Sequence, residues 1–296
     1  MSWVHSEIVY RPPTESESLL LEVSTGCSYG KCSFCRCSAE DSPLLLAPRE
    51  ELIRQLRELS QSDNRTGRIF FTGGNVFAFR SDYLLEVFDL TRSWLPQVRQ
   101  FSMYARATDI LAKSPEELIE LKLNGLSTLY IGVESGSDRL LRQCRKGVGT
   151  REMLQAFSVL DAYEIPYGVS CIIGLGGKGS AKPAAEATAE LLNRIFPESV
   201  RIMRLTPLPG TELFRQVQEG SFVLQSEKES LEEEILLLRL VSPRRMNCLF
   251  VANHLSNQVP IAGFLPRDKE QMLHSLQAAL KDAGMEEGRI APPASW

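Results

Sequence analysis

Only three histidines occur in the chain, His5, His254 and His274, and they stand far apart. A structural zinc site usually takes two close pairs of cysteine or histidine ligands. No second pair follows the one cysteine-rich stretch of this sequence. No apolar run approaches the roughly 18–20 residues of a membrane-spanning helix, so no membrane partner is expected. Met1 to Pro13 also lacks the apolar stretch of a secretory leader. Basic residues are not in excess: 33 Lys and Arg against 37 Asp and Glu leave a net charge of −4. That balance gives no overall footprint for nucleic acid, which is not expected as a partner. There is no repeat of fixed length and no low-complexity tract. The cysteine count is odd, seven, with Cys144, Cys171 and Cys248 dispersed, which argues against a disulfide framework and for a reducing, cytoplasmic setting.

What is present begins with Thr25-Gly26-Cys27-Ser28-Tyr29-Gly30-Lys31-Cys32-Ser33-Phe34-Cys35-Arg36-Cys37, where four cysteines fall within eleven residues. The run Leu19 to Ser24 before it reads as a strand, so the cysteines sit on the loop that leaves it. Residues 1–17, with Pro12-Pro13, read as a lead-in arm. Leu52, Ile53, Leu56 and Leu59 give Arg49–Ser60 a helical face. Arg68–Thr72 is a short apolar strand stopped by Gly73-Gly74-Asn75. A helix around Tyr83–Trp94 and a strand near Phe101–Ala105 follow. Ser114-Pro115-Glu116-Glu117 is a capping box with proline at the first helical position, and the helix it opens is expected to bury Leu118, Leu121 and Leu123 and to end at Gly125. Leu129–Val133, Tyr167–Ile173 and Val200–Leu205 are strands four to six, with a helix over Ala184–Ile195.

Six strand–helix repeats indicate a parallel sheet covered by helices. The fold class expected is α/β, a partial (β/α)6 TIM-type barrel over 18–215 with a mainly helical C-terminal extension over 216–296. In that extension Leu231–Leu240 is strongly helical, Cys248–Val251 is a short apolar run, and Met272, Leu273, Leu276 and Leu280 line a helix. The tail Ala291–Trp296 reads as unstructured. Ligands bind at the carboxyl ends of parallel strands. The segments found there are the cysteine loop, Gly73-Gly74-Asn75, Arg106 to Asp109, Glu134 to Ser137, Gly174 to Gly177 and Thr206 to Gly210. Six such segments point at one shared site.

Cys27, Cys32 and Cys35 form a C-x4-C-x2-C set. Thiolates hold both zinc and iron–sulfur clusters. The missing partner pair favours iron–sulfur, and three cysteines on a four-iron cluster leave one iron open. This loop resembles that of the radical S-adenosylmethionine (radical SAM) superfamily. More narrowly it is similar to a group of iron–sulfur oxidoreductase-like members with a Gly-Cys-Ser-Tyr-x-Lys-Cys-x-Phe-Cys loop. The resemblance covers about residues 10–215. The commonest spacing in the superfamily is C-x3-C-x2-C; the narrower group shares the extra residue found here.

The resemblance implies that Cys27, Cys32 and Cys35 ligate a [4Fe–4S] cluster whose open iron is chelated by SAM. It places Phe34 near the adenine and Gly73-Gly74-Asn75 at the methionine amino group, with Asn75 standing where an acidic residue is usual. It puts Glu134 and Ser135 at the ribose or methionine moiety, Ile173 and Gly174 near the adenine, and Leu205 and Pro207 at its hydrophobic edge. The SAM carboxylate invites a cation, for which Arg106 is the first choice and Lys146 the second. The reaction implied is reductive cleavage of SAM to a 5′-deoxyadenosyl radical that abstracts hydrogen from a small-molecule or peptide substrate. An electron donor such as flavodoxin or ferredoxin is implied with it.

Three other readings compete. SAM cleavage to a 3-amino-3-carboxypropyl group is one. A metal-bearing, non-catalytic scaffold that binds a partner through its C-terminal helices is the second. Gly174-Leu175-Gly176-Gly177-Lys178-Gly179 also fits a dinucleotide fingerprint, although it follows the fifth strand and not the first. No cobalamin segment or second cysteine cluster is visible. His254 is read as a turn-stabilising histidine, with a catalytic or substrate-side role beside Asn253 and Asn257 as the sharper alternative. Cys37 is read as a secondary thiol, and Glu232-Glu233-Glu234 as a solvated helix face.

Overall fold

A computed structural model of the protein describes residues 10–39, 43–244 and 247–283. The first nine residues of the lead-in arm and the tail from Ala291 lie outside the described residues. In chain order the first elements are β1 (Leu19–Glu22), β2 (Ser24–Thr25), β3 (Leu45–Leu46), α1 (Arg49–Ser60), β4 (Arg68–Thr72), α2 (Ser81–Trp94), β5 (Gln100–Ala105), α3 (Ala107–Ala112), α4 (Pro115–Leu123) and β6 (Leu126–Glu134). The later ones are α5 (Asp138–Gln143), α6 (Thr150–Ala162), β7 (Tyr167–Ile173), α7 (Ala181–Leu192), β8 (Ser199–Arg204), α8 (Glu212–Gln218), α9 (Glu227–Leu240), β9 (Cys248–Ala252), β10 (Ile261–Leu265) and α10 (Lys269–Ala283). The longer strands run in the order β1-β4-β5-β6 in the first part of the chain and β7-β8-β9-β10 in the second. The described residues fall into two compact units: residues up to 30 with 43–131 and 159–167, and residues 31–39 with 132–158 and from 168 on.

In the first unit β1 pairs β4, β4 pairs β5, and β5 pairs β6, all in parallel, with Leu21 opposite Phe71 and Phe71 opposite Met103. Successive side chains of a strand point to opposite faces, and β4 shows why its apolar run is continuous. Phe71 packs with Phe88 of α2 and Phe101, the last two stacked at 4.0 Å, while Phe70 meets Tyr104 and Tyr130 on the other side. Both faces are covered, as expected for a parallel sheet between layers. At α4 the capping box is present in full: Ser114 Oγ accepts from the Glu117 amide and the Glu117 carboxylate accepts from the Ser114 amide. Leu118 and Leu121 are buried as expected, but Leu123 is 81% exposed. Five residues on from Leu118, it has rotated off the inner face at 3.6 residues per turn. Gly125, at φ +100°, follows the helix end in the left-handed region where the backbone of Arg99 leaves no room for a Cβ. The end of the lead-in arm is built into this unit, since Glu15 is fully buried and bonded to Arg68 and Tyr130.

In the second unit β7 pairs β8 and β8 pairs β9 in parallel, and β10 closes antiparallel on β9. The region after residue 211 therefore adds two strands and the short helix α8 to the two helices legible in the sequence. α7 packs along α9 with a stripe of Ala184, Ala185, Thr188 and Ala189. Small side chains allow the two helices a close approach. The same stripe receives the turn after β6: the Gly136 amide donates to Thr188 Oγ1, and a Cβ on Gly136 would overlap the Ala187 carbonyl.

Candidate functional site

The cysteine loop is held by its backbone. In the first unit the amide of Gly74 donates to the Gly26 carbonyl at 2.8 Å. A Cβ at position 74 would overlap that carbonyl and come to 2.9 Å from the Cβ of Cys27. Glycine at the end of β4 is thus what lets the strand's last turn lie against the first cysteine. In the second unit the Ser33 amide donates to the Cys144 carbonyl at 3.0 Å and the Ser33 carbonyl accepts from Leu213 at 2.8 Å. Ser38 Oγ is within 2.6 Å of both the Cys32 and the Cys35 carbonyls. Cys27, Cys32, Cys35 and Cys37 are half-buried and none is in a disulfide. A hydrogen bond with the neighbouring Cys37 thiol, and then burial, hold Cys35 well above the usual thiol range. Among the described residues no three His, Cys, Asp or Glu side chains group around a single ion.

Around Gly73-Gly74-Asn75, the Asn75 side chain is fully buried and its amide nitrogen donates to Ser28 Oγ at 2.8 Å and to Asp109 Oδ2 at 2.7 Å. Its Oδ1 is buried without a hydrogen-bond partner. A buried polar atom left open is costly in a finished core, and here it marks a place for a donor such as an ammonium group. Asp109, at the start of α3, thereby brings a carboxylate beside position 75. Arg106 lies with its guanidinium 3.9 Å from the centre of the Tyr29 ring, a cation–π stack that ties the third strand end to the cysteine loop.

In the second unit Lys146 Nζ and Glu134 Oε1 form an ion pair at 2.7 Å with both side chains 8% exposed. Lys146, the second choice for the SAM carboxylate, is thus engaged by Glu134. Glu134 itself has φ +63°, with the Ser135 amide bonded back to the Val133 carbonyl at 2.8 Å, a tight and strained turn. The pair lies over Gly132, whose missing side chain leaves the space that the Glu134 carboxylate fills; a Cβ there would also come to 2.8 Å from Lys146 Nζ. The Ser135 hydroxyl accepts from the Ser137 amide and faces Thr188, so it holds the turn. Burial, and then the charge on Glu134, push the Cys144 thiol up to about 12.

Ile173, Gly174, Leu205 and Pro207 come together on one cavity of about 610 Å³ between the ends of β7 and β8, the α8 region and the loop 255–258. Phe34 packs on the same apolar cluster, with Leu175, Leu205, Leu213 and Phe222. Behind the cavity the acidic run is a solvated face only at Glu232, which is exposed, whereas Glu233 and Glu234 are 3% and 4% exposed. The stripe Leu231, Glu234, Ile235, Leu238 runs at helical spacing, so the position of Glu234 is interior by period. Glu233 accepts from Gln225 at 2.6 Å and from the Gly174 amide at 3.4 Å. Burial pushes Glu233 up to about 7 and Glu234 up to about 8. The unfolded chain releases these protons near 4.5, so the folded protein holds more protons from there to about pH 8. Stability is then full below about pH 4.5 and falls as pH rises through that window. We expect urea midpoints to drop between pH 5 and pH 8, and Glu233→Gln to remove roughly 2–3 kcal/mol of that drop; an unchanged slope in the variant would count against it.

The glycine run after β7 offers little to a pyrophosphate. The amides of Gly174 and Gly179 already face Glu233 and Glu229, and that of Lys178 is taken by the Val223 carbonyl. His254 behaves as a turn histidine: its Nδ1 is 2.8 Å from Ser256 Oγ and accepts from the Ser256 amide, with burial and Arg201 keeping it below its ordinary value. Of the trio Asn253, His254 and Asn257, Asn257 is on the cavity wall. Sequence reasoning missed Gln225 and Arg204, misread Glu233, and named Asp109 only as part of the third strand-end segment. The signal for Glu233 and Glu234 lay in the helical period around them; Gln225 and Arg204 carry none.

The radical SAM superfamily model matches residues 21–192, more than half of the chain, and the protein belongs to that superfamily. Its members are enzymes that use a [4Fe–4S] cluster and SAM. The chain is similar to a tRNA-2-methylthio-N(6)-dimethylallyladenosine synthase of Saccharophagus degradans, 26% identical over 211 residues, 68% of this chain and 44% of that one. The synthase of the same name from Chromohalobacter salexigens is 23% identical over 273 residues, 88% of this chain and 58% of that one. The chain thus spans about half the length of the curated relatives it matches. Methylornithine synthase (PylB) superposes with a TM-score of 0.55 at 17% identity, covering 92% of this chain and 83% of that one. HydG, a maturase of the [FeFe]-hydrogenase, gives 0.55 at 16%, covering 87% and 54%. These likenesses show the fold, the partial TIM-type barrel expected from the strand–helix repeats. Among the described residues no helix is long and apolar enough to cross a membrane.

Proposed function

We propose that Cys27, Cys32 and Cys35 hold a [4Fe–4S] cluster with one iron left for SAM, and that the protein abstracts hydrogen from a small-molecule or peptide substrate. The observation that supports this most is the approach of Gly74 to Gly26 and Cys27 inside the matched region. When bound, the cluster and SAM supply a 5′-deoxyadenosyl radical after one-electron reduction by a donor such as flavodoxin or ferredoxin. The chain's own residues bind and orient. Gly73 and Gly74 bring backbone close to the methionine end, where the open Asn75 Oδ1 and the Asp109 carboxylate would accept from the N–H groups of its amino nitrogen. Arg106 answers the carboxylate, and Glu134, fixed by Lys146, accepts from the ribose. Phe34, Ile173, Gly174, Leu205 and Pro207 give the adenine an apolar slot with backbone partners. Ser135 supports the turn that carries Glu134.

Anaerobic reconstitution with iron and sulfide, followed by dithionite and SAM, is expected to yield 5′-deoxyadenosine. An intact cluster with no such product would overturn the proposal. Cys32→Ala is expected to lose the iron, and Cys37→Ala to keep it, as read by iron content and visible absorbance.

A further inference from the structure

The cavity between β7 and β8 has walls beyond its adenine-facing residues, and it contains a cation that the cofactor assignment leaves unused. At about 610 Å³ it is within the range of sites that enclose a small ligand. Pro207, Phe214 and Leu224 give it apolar walls, and Leu255 stands 79% exposed at its edge. Arg204 enters from the end of β8. Its backbone is set by the parallel ladder with β7 and by Ser256 Oγ, 3.2 Å from its amide. The guanidinium has one polar partner among the described residues, the Gln225 carbonyl at 3.5 Å from Nη2, and makes no ion pair there. Burial lowers its pKa, and the opposing pull of Glu227, also on the cavity wall, is the smaller effect.

A partly desolvated guanidinium that makes no ion pair among the described residues is unfavourable, and its planar fork of donors matches the two oxygens of a carboxylate or phosphate. We infer that this cavity binds the substrate as a small molecule with an apolar body and one terminal anionic group, carboxylate or phosphate, received by Arg204. Glu227 in the same wall opposes a polyanion, so a single anionic group fits where a nucleic-acid backbone does not. Beside Arg204, the Gln225 amide is oriented by Glu233, and Asn257 adds a second neutral hydrogen-bonding group. The inference names the substrate class of the reaction proposed above and rests on that reading.

The test uses the cluster-loaded protein under anaerobic conditions, with SAM and no reductant. Isothermal titration with 3-phenylpropionate, phenyl phosphate and the neutral 3-phenylpropanamide separates charge from shape, and the two anions separate carboxylate from phosphate. At least one anion is expected to bind about tenfold or more tighter than the amide. Arg204→Gln should lose that preference and Arg204→Lys should keep part of it, with SAM affinity the same in all three proteins. Equal binding of anion and amide, an anion preference that survives Arg204→Gln, or no binding of any probe overturns the inference. A parallel loss of SAM affinity in Arg204→Gln also overturns it, since the guanidinium would then serve the cofactor's own carboxylate. A wild-type protein that binds no SAM would instead sink the function proposed above, and the anion titration would still decide the role of Arg204.

Discussion

Alanine at position 74 is expected to strip most of the iron from the protein while leaving its helices and strands in place. The added methyl group would overlap the Gly26 carbonyl and press on Cys27. Gly26 cannot simply yield, because its own Cα hydrogen side faces Pro43: a Cβ there would be 2.5 Å from the Pro43 carbonyl oxygen. The backbone of Gly26 is therefore held between two neighbours, at φ +62°. Relief has to come from moving the first cysteine or breaking the 2.8 Å bond between the Gly74 amide and the Gly26 carbonyl. Overpacking of this kind costs about 1–3 kcal/mol, too little to unfold a domain of this size but enough to displace a ligand loop. Iron and sulfide content after anaerobic reconstitution, with far-ultraviolet circular dichroism as the control, reads the effect. Full iron content in Gly74→Ala would mean that the loop tolerates a wider separation than its geometry indicates.

The second large effect concerns Lys146. Its replacement by alanine leaves the Glu134 carboxylate buried on a strained turn with its ion pair gone. Removing one partner of a buried pair typically costs about 3–5 kcal/mol, because the remaining charge is uncompensated. The double variant Glu134→Gln with Lys146→Met removes both charges and should be less destabilised than the sum of the single changes. Urea denaturation of the cluster-free proteins measures the difference. A cost for Lys146→Ala below about 1 kcal/mol would indicate that the pair behaves like an exposed one. If the pair does position Glu134, SAM affinity should fall in both single variants, with the cluster spectrum unchanged.

Much of the architecture was open to periodicity alone. Arg49–Ser60, Arg68–Thr72 and Tyr167–Ile173 are found with the bounds that their apolar patterns suggest, because each buries one stripe or both faces against near neighbours. The capping box at Ser114 was legible for a similar reason: its partners are three residues apart. Leu123 was misplaced because an apolar residue was counted onto a face without turning the helix the last few residues. Glu233 and Glu234 were misread by type, since charge was weighed over position, and the partners of Glu233, Gln225 and Gly174, are linked to it by no local pattern. The engagement of Lys146 by Glu134 was hidden in the same way. A cation near a strand end invites a ligand until a carboxylate twelve residues away is seen to claim it. β9 and β10 lacked a strand–helix rhythm, and β10 pairs by an antiparallel turn-back that the preceding pattern did not foreshadow.

Glu15 bears on how the protein can be handled at the bench. It is wholly enclosed, bonded to Ser18, to the Tyr130 hydroxyl at 2.7 Å and to Arg68 at 2.9 Å, with Thr14 on the same hydroxyl. Trimming the N-terminus past Thr14 would therefore remove an internal anchor and leave Tyr130 and Arg68 without their carboxylate, however dispensable the arm looks by composition. Shortened versions for crystallisation, and tags cleaved close to the fold, should keep Thr14 and Glu15.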